Sequence, residues 1–147
     1  MSAFQSLVRK QDGQPVRYLV VDDSVFARKN LQRILAMFGG AIAGEAGDGR
    51  AAIEAYNQLQ PDLVLMDVTM PDMEGIEAAE HITNQHPNAR IVMVSSVGYQ
   101  ENVSEALRKG ARYFVQKPPK PEQLYDVIKK VLGEDVASVP ATSQEGH

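Results

Sequence analysis

Carboxylates, hydroxyls and one lysine stand directly after short apolar runs, and their placement suggests one kind of chemistry. Tyr18-Leu19-Val20-Val21 is followed by Asp22 and Asp23, and Leu63-Val64-Leu65-Met66 by Asp67. Ile91-Val92-Met93-Val94 leads into Ser95 and Ser96, and Tyr113-Phe114-Val115 into Gln116 and Lys117. If these runs are neighbouring parallel strands, all of these residues converge beyond the carboxyl ends, where open α/β sheets bind ligands. Three carboxylates gathered there repel one another unless a cation offsets the charge. Mg²⁺, which takes oxygen ligands and retains waters, suits such a set, whereas no His/Cys cluster invites zinc. Lys117 would add a compact positive charge for phosphate oxygens. These parts describe a phosphoryl-transfer site. Asp67, the lone carboxylate at its strand end, is the candidate nucleophile. Asp22 and Asp23 are placed to hold metal directly or through water, and Ser95 to donate a hydrogen bond to a phosphoryl oxygen.

Each of these residues alone also has an ordinary reading. Asp-Asp-Ser ahead of a helix is a common capping cluster, worth about 0.5–2 kcal/mol per cap. Asp67 opens the loop Asp67-Val68-Thr69-Met70-Pro71-Asp72, and a single lysine is usually solvated. Their joint occurrence at several strand ends is what favours a site. His81, His86 and His147 fall away from those ends and read as peripheral.

The elements that must position the site follow from periodicity. The near-continuous apolar runs suit parallel strands covered on both faces. Between them, Leu31, Ile34, Leu35 and Phe38 mark a helix ended by Gly39-Gly40, and Ile53, Tyr56 and Leu59 a second, closed by Pro61. Ile76, Ala79 and Ile82, then Val103, Ala106 and Leu107, then Leu124, Val127, Ile128 and Val131 mark three more. The expectation is an α/β fold, a doubly wound five-stranded parallel sheet of (βα)5 form. The second strand, near Ala41 to Gly44, is poorly marked. Residues 16–132 read as the domain, with 1–15 and 133–147 as polar tails. Phe4, Leu7 and Val8 have the spacing of one helical turn, too short to stand alone.

Composition narrows the class. The chain's 147 residues, 44% hydrophobic and 23% charged, fit one globular domain. Without cysteine there is no disulfide, thiolate metal site or cysteine nucleophile. A net charge of −4 gives no nucleic-acid footprint, and no apolar run suits a membrane span or secretory signal. The expected setting is therefore cytoplasmic, without direct nucleic-acid or membrane partners.

The motifs LVVDDS at 19–24, LVLMDVTMPDMEG at 63–75, VMVSSVG at 92–98 and GARYFVQKP at 110–118 resemble those of response regulator receiver domains. The likeness is strongest to single-domain chemotaxis-type regulators. It implies a flavodoxin-like strand order 2-1-3-4-5 and a Mg²⁺ site (Mn²⁺ substituting) made by Asp22, Asp23, Asp67 and the Thr69 carbonyl. It further implies phosphorylation of Asp67 by a histidine kinase or histidine phosphotransfer protein, with Ser95 and Lys117 assisting. Ser95 and Phe114 take the switch positions, and Lys117-Pro118 is the candidate cis bond. The implied output is a separate effector on the face of the fourth helix, fifth strand and fifth helix, roughly Asn102 to Leu132. The protein would be a monomer or weak dimer, undergoing only self-phosphorylation and slow self-dephosphorylation. Chemotaxis-type control is favoured over a phosphate sink, a relay or a stress-signalling role. An aspartate-nucleophile phosphatase is disfavoured, because Asp67-Val68-Thr69 lacks that class's second aspartate. The chain departs from the family in Phe114 for the frequent Tyr, Ser95 for the commoner Thr, and Pro119 after Pro118. Thr69 and Val97 occupy positions where the family tunes access of the attacking water.

Overall fold

The computed structural model describes residues 4–71, 73–96 and 100–141, so Asp72, Val97 and His147 lie outside the described residues. A five-stranded parallel sheet is built from β2 (Arg17–Val21), β3 (Ala41–Ala46), β4 (Leu63–Met66), β5 (Ile91–Ser95) and β6 (Tyr113–Gln116). Helices α1 (Val25–Met37), α2 (Gly49–Leu59), α3 (Gly75–Gln85), α4 (Gln100–Arg108) and α5 (Pro121–Leu132) alternate with them. The strands lie in the order β3-β2-β4-β5-β6, which, counted within this sheet, is the 2-1-3-4-5 order expected.

Continuous apolar runs become central strands because successive side chains point to opposite faces, and both faces are covered. Leu19, Val21, Val64, Met66, Ile91 and Met93 join the core beneath α2 and α3. Tyr18, Val20, Leu63, Leu65, Val92 and Val94 join the opposite core with α1 and α5. The weakly marked strand is β3, which pairs only with β2 and is mostly exposed or half-buried. An edge strand needs less apolar sequence, and its register with β2 slips between Tyr18 and Leu19. The Ser24 side chain caps α1 by accepting from the Ala27 N–H at 3.1 Å, and Asp48 caps α2 through Ala51 at 2.8 Å. Among the described residues no helix is long and apolar enough to cross a membrane.

The outer segments differ from the expected tails. Ser6–Arg9 (β1) pairs antiparallel with Val136–Val139 (β7), so the spacing of Phe4, Leu7 and Val8 belongs to a strand, not a helical turn. Leu7 is fully buried in the α1–α5 core, and the Phe4 ring lies 4.9 Å from both Phe38 and Tyr125. The Tyr125 hydroxyl donates to the Gln5 carbonyl at 3.1 Å, and the Lys10 N–H to the Asp135 carbonyl at 2.9 Å. Pairing between opposite ends of a chain leaves no local period, and four-residue strands carry too little pattern to be read alone.

This docking predicts that Leu7→Ala costs about 2–5 kcal/mol of stability, the usual range for emptying a buried leucine site. Urea unfolding of the full chain checks it. A loss of no more than about 0.5 kcal/mol, as at an ordinary surface position, would mean that the ribbon is not docked in solution.

Candidate functional site

Four strand ends meet at the site. Val21 pairs with Met66 across β2 and β4, so the residues that follow, Asp22 and Asp67, leave the sheet side by side. The Asp67 N–H donates to the Val21 carbonyl at 2.9 Å, and the Asp22 N–H to the Ala46 carbonyl at 3.0 Å. On the other side Ser95 pairs with Gln116, and the Lys117 N–H donates to the Ser95 carbonyl at 2.8 Å. Strand register thus carries Asp22, Asp67, Ser95 and Lys117 to one place.

Carboxylate oxygens of Asp22, Asp23 and Asp67 all lie within 4.8 Å of one another. Asp22 is 1% exposed and Asp67 7%, whereas Asp23 opens to solvent. Buried carboxylates need donors, and each has them. Asp22 accepts from the Ser24 N–H at 2.9 Å and from Lys117 Nζ at 2.7 Å. Asp67 accepts from the Val68 N–H at 2.9 Å and from the Ser95 side chain, and stands 3.8 Å from Lys117 Nζ. Burial pushes the Asp67 carboxyl above the ordinary aspartate range and the Asp22 charge adds to this; Lys117, Ser95 and the Val68 N–H act against it. The lysine therefore sits nearer Asp22 than the candidate nucleophile.

Thr69 is exposed between buried Val68 and Met70, in the loop after Asp67. Phe114 is half-buried against the α2–α3 core, and Lys117-Pro118 is cis. Two contributors have no role in the sequence reading, although Gly75 closes the 63–75 motif. Gly75 opens α3 so close to the loop that a Cβ there would lie 1.9 Å from the Asp67 carbonyl oxygen. Arg28 donates from Nη1 to the Asp22 carbonyl at 2.6 Å and from Nε to Glu45 at 2.8 Å. That ion pair holds the Glu45 carboxyl below the usual range. An arginine one turn into a helix looks like any solvated cation until β3 brings Glu45 beside it.

The cluster offers only hard oxygen donors, and three carboxylates face a single lysine at the cluster. That donor set fits a divalent cation of the Mg²⁺ or Mn²⁺ kind. Residues 18–129 match the response regulator receiver domain family. The chain belongs to that family. This receiver is 44% identical over 115 residues to the chemotaxis protein CheY of Thermotoga maritima, covering 78% of the chain and 96% of the relative. It is 40% identical over 116 residues to the CheY of Bacillus subtilis, covering 79% and 97%. Among solved structures it is similar to a chain in the CheX-CheY-BeF3-Mg²⁺ complex from Borrelia burgdorferi, with TM-score 0.83 and 34% identity, covering 86% of this chain and 96% of that one. The receiver family is known for taking up and losing a phosphoryl group on itself rather than for catalysis on external substrates.

The electrostatics of the receiver site give a pH dependence. A carboxyl whose pKa is raised on folding binds more protons in the native state than in the unfolded chain between the two pKa values. In chelator, stability is predicted to fall as pH rises from the ordinary aspartate range through the raised Asp67 value. The penalty is absent below that window and complete above it. Asp67→Asn should flatten this slope and raise the metal-free unfolding midpoint at neutral pH. Urea midpoints of both proteins across the window measure it, and an identical slope in the variant would contradict the assignment.

Proposed function

We propose that the chain is a phosphorylation-activated response regulator in which Asp67 accepts a phosphoryl group from a histidine kinase or histidine phosphotransfer protein. The convergence of Asp22, Asp23 and Asp67 within 4.8 Å, with Lys117 beside them, carries this reading. The carboxylate of Asp67 attacks phosphorus, and the P–N bond of the donor phosphohistidine breaks. Its electron pair stays on the imidazole, which takes up a proton, and Asp67 becomes an acyl phosphate. Water later cleaves the acyl phosphate, returning the carboxylate and inorganic phosphate.

Asp23, Asp67 and the Thr69 carbonyl would hold Mg²⁺, with Asp22 acting through water. When bound, the cation supplies positive charge to the transferring phosphoryl oxygens. Lys117 shifts its ammonium from Asp22 toward those oxygens. Ser95 turns its hydroxyl to the phosphoryl group, and Phe114 fills the space released. The output face is α4, β6 and α5, and the chemotaxis relatives support control of a chemotaxis effector. That one structurally similar complex holds Mg²⁺ and BeF3, a phosphoryl-like group, supports the same site.

Asp67→Asn should abolish acyl-phosphate formation from acetyl phosphate, and chelation should do the same to the unchanged protein. Intact-mass measurement reads both, and undiminished Mg²⁺-dependent labelling of the variant would place the nucleophile elsewhere. The donor must also reach Asp67. Phe26, 82% exposed at the start of α1, borders an apolar groove with Leu31, Val94, Pro118 and Pro119 that includes Lys117. We infer that this aromatic, on an apolar groove that reaches Lys117, is where the donor docks, since aromatic anchors in apolar pockets dominate binding energy at interfaces. Phe26→Asp is expected to slow transfer from a cognate phosphohistidine protein about tenfold, the scale of a lost hot spot, while acetyl phosphate labelling continues. Equal slowing with both donors would show damage to the acceptor rather than to docking.

A further inference from the structure

Asp22 is held at every polar group. Its N–H donates to Ala46, its two carboxylate oxygens accept from Ser24 and Lys117, and its carbonyl accepts from Arg28 at 2.6 Å. Arg28 is 17% exposed and spends a second donor on Glu45, at the end of the neighbouring strand β3. The Asp22 carbonyl and the Asp23 N–H belong to one planar peptide. Whatever aims that carbonyl also sets the direction in which the chain enters Asp23. Asp23 lies exposed on a strand-to-helix turn, where the Ser24 N–H bond to the Asp22 carboxylate spans the same peptide from its other side.

We propose that Arg28 is a positioning residue of the cation site, fixing the Asp22–Asp23 peptide so that the Asp23 carboxylate faces Asp22 and Asp67. This rests on the reading of the three carboxylates as a divalent-cation site. Arg28 touches none of their side-chain oxygens and acts through the main chain. Its planar fork is suited to the task, since one guanidinium spans a carbonyl and a carboxylate on separate strands. Glu45 balances its charge, so the hydrogen bonds reach the cluster with little added repulsion toward a dication.

Charge and geometry predict different outcomes, which makes the test decisive. A guanidinium near a dication repels it, weakly where Glu45 offsets the charge, so removing the charge alone would leave cation binding unchanged or tighten it. Removing a positioning residue weakens it, with losses of about 10–100-fold usual for groups that orient metal ligands. Mn²⁺ binding to the unphosphorylated full chain, followed by electron paramagnetic resonance with Mg²⁺ competition, compares wild type with Arg28→Met and Arg28→Lys. Arg28→Met is expected to weaken binding about tenfold or more. Arg28→Lys keeps the charge and loses the fork, and is expected to weaken binding as well. Circular dichroism confirms that each variant is folded, and Arg28→Lys decides the matter alone if Arg28→Met does not fold. Wild-type affinity in Arg28→Lys, or affinity in Arg28→Met equal to or tighter than wild type, overturns the assignment to Arg28. A wild-type protein that binds no Mn²⁺ overturns the cation-site reading itself, and this inference with it.

Discussion

Repulsion among three carboxylates is the constraint around which the structure is arranged. Two unit charges about 5 Å apart interact by about 3 kcal/mol at an effective dielectric near 20, and here three lie within 4.8 Å with two of them buried. The fold answers with donors: Lys117 and the Ser24 N–H on Asp22, and Ser95 and the Val68 N–H on Asp67. The raised Asp67 carboxyl shows that these donors do not cancel the cost of its burial. A site left short of positive charge is one that a cation relieves and a phosphoryl group, with its own anionic oxygens, disturbs. Stability given up at such a place is a common accompaniment of function.

That concentration of charge is tolerable because the sheet beneath it is apolar on both faces. Alternate residues of β2, β4 and β5 feed the two cores, so a strand cannot slip by one residue without exchanging them. The same register that packs Val21 against its neighbours sets Asp22 beside Asp67. Precision at the carboxyl ends is therefore inherited from packing below. The β1–β7 ribbon adds to that rigidity elsewhere, with Phe4 joining Phe38 of the α1 end to Tyr125 of α5.

Much of this was legible before any coordinates. Four apolar runs, one weakly marked strand and five helical periods announce a two-sided parallel sheet, since burial on both faces leaves no polar alternation in a strand. The acidic pair, Asp67, Ser95 and Lys117 were visible as strand-end residues for the same reason. The order of the strands was another matter, and came through likeness to a family. β1 and β7 were invisible, because each has meaning only when paired with the other. The roles of Arg28 and Gly75 are likewise set by remote partners, one by Glu45 from an edge strand and the other by a carbonyl from a loop.

By itself, then, the sequence determined which chemical groups exist and which ends of which elements carry them, since residue type and local period are properties of neighbours along the chain. Only the tertiary structure decided the distances between them. It sets Lys117 2.7 Å from Asp22 but 3.8 Å from Asp67, buries Leu7 of a ribbon made from both outer segments in the α1–α5 core, and turns Arg28 from a surface cation into a strut. Those outcomes depend on strand register and on the packing of segments remote in sequence, and no local pattern contains either.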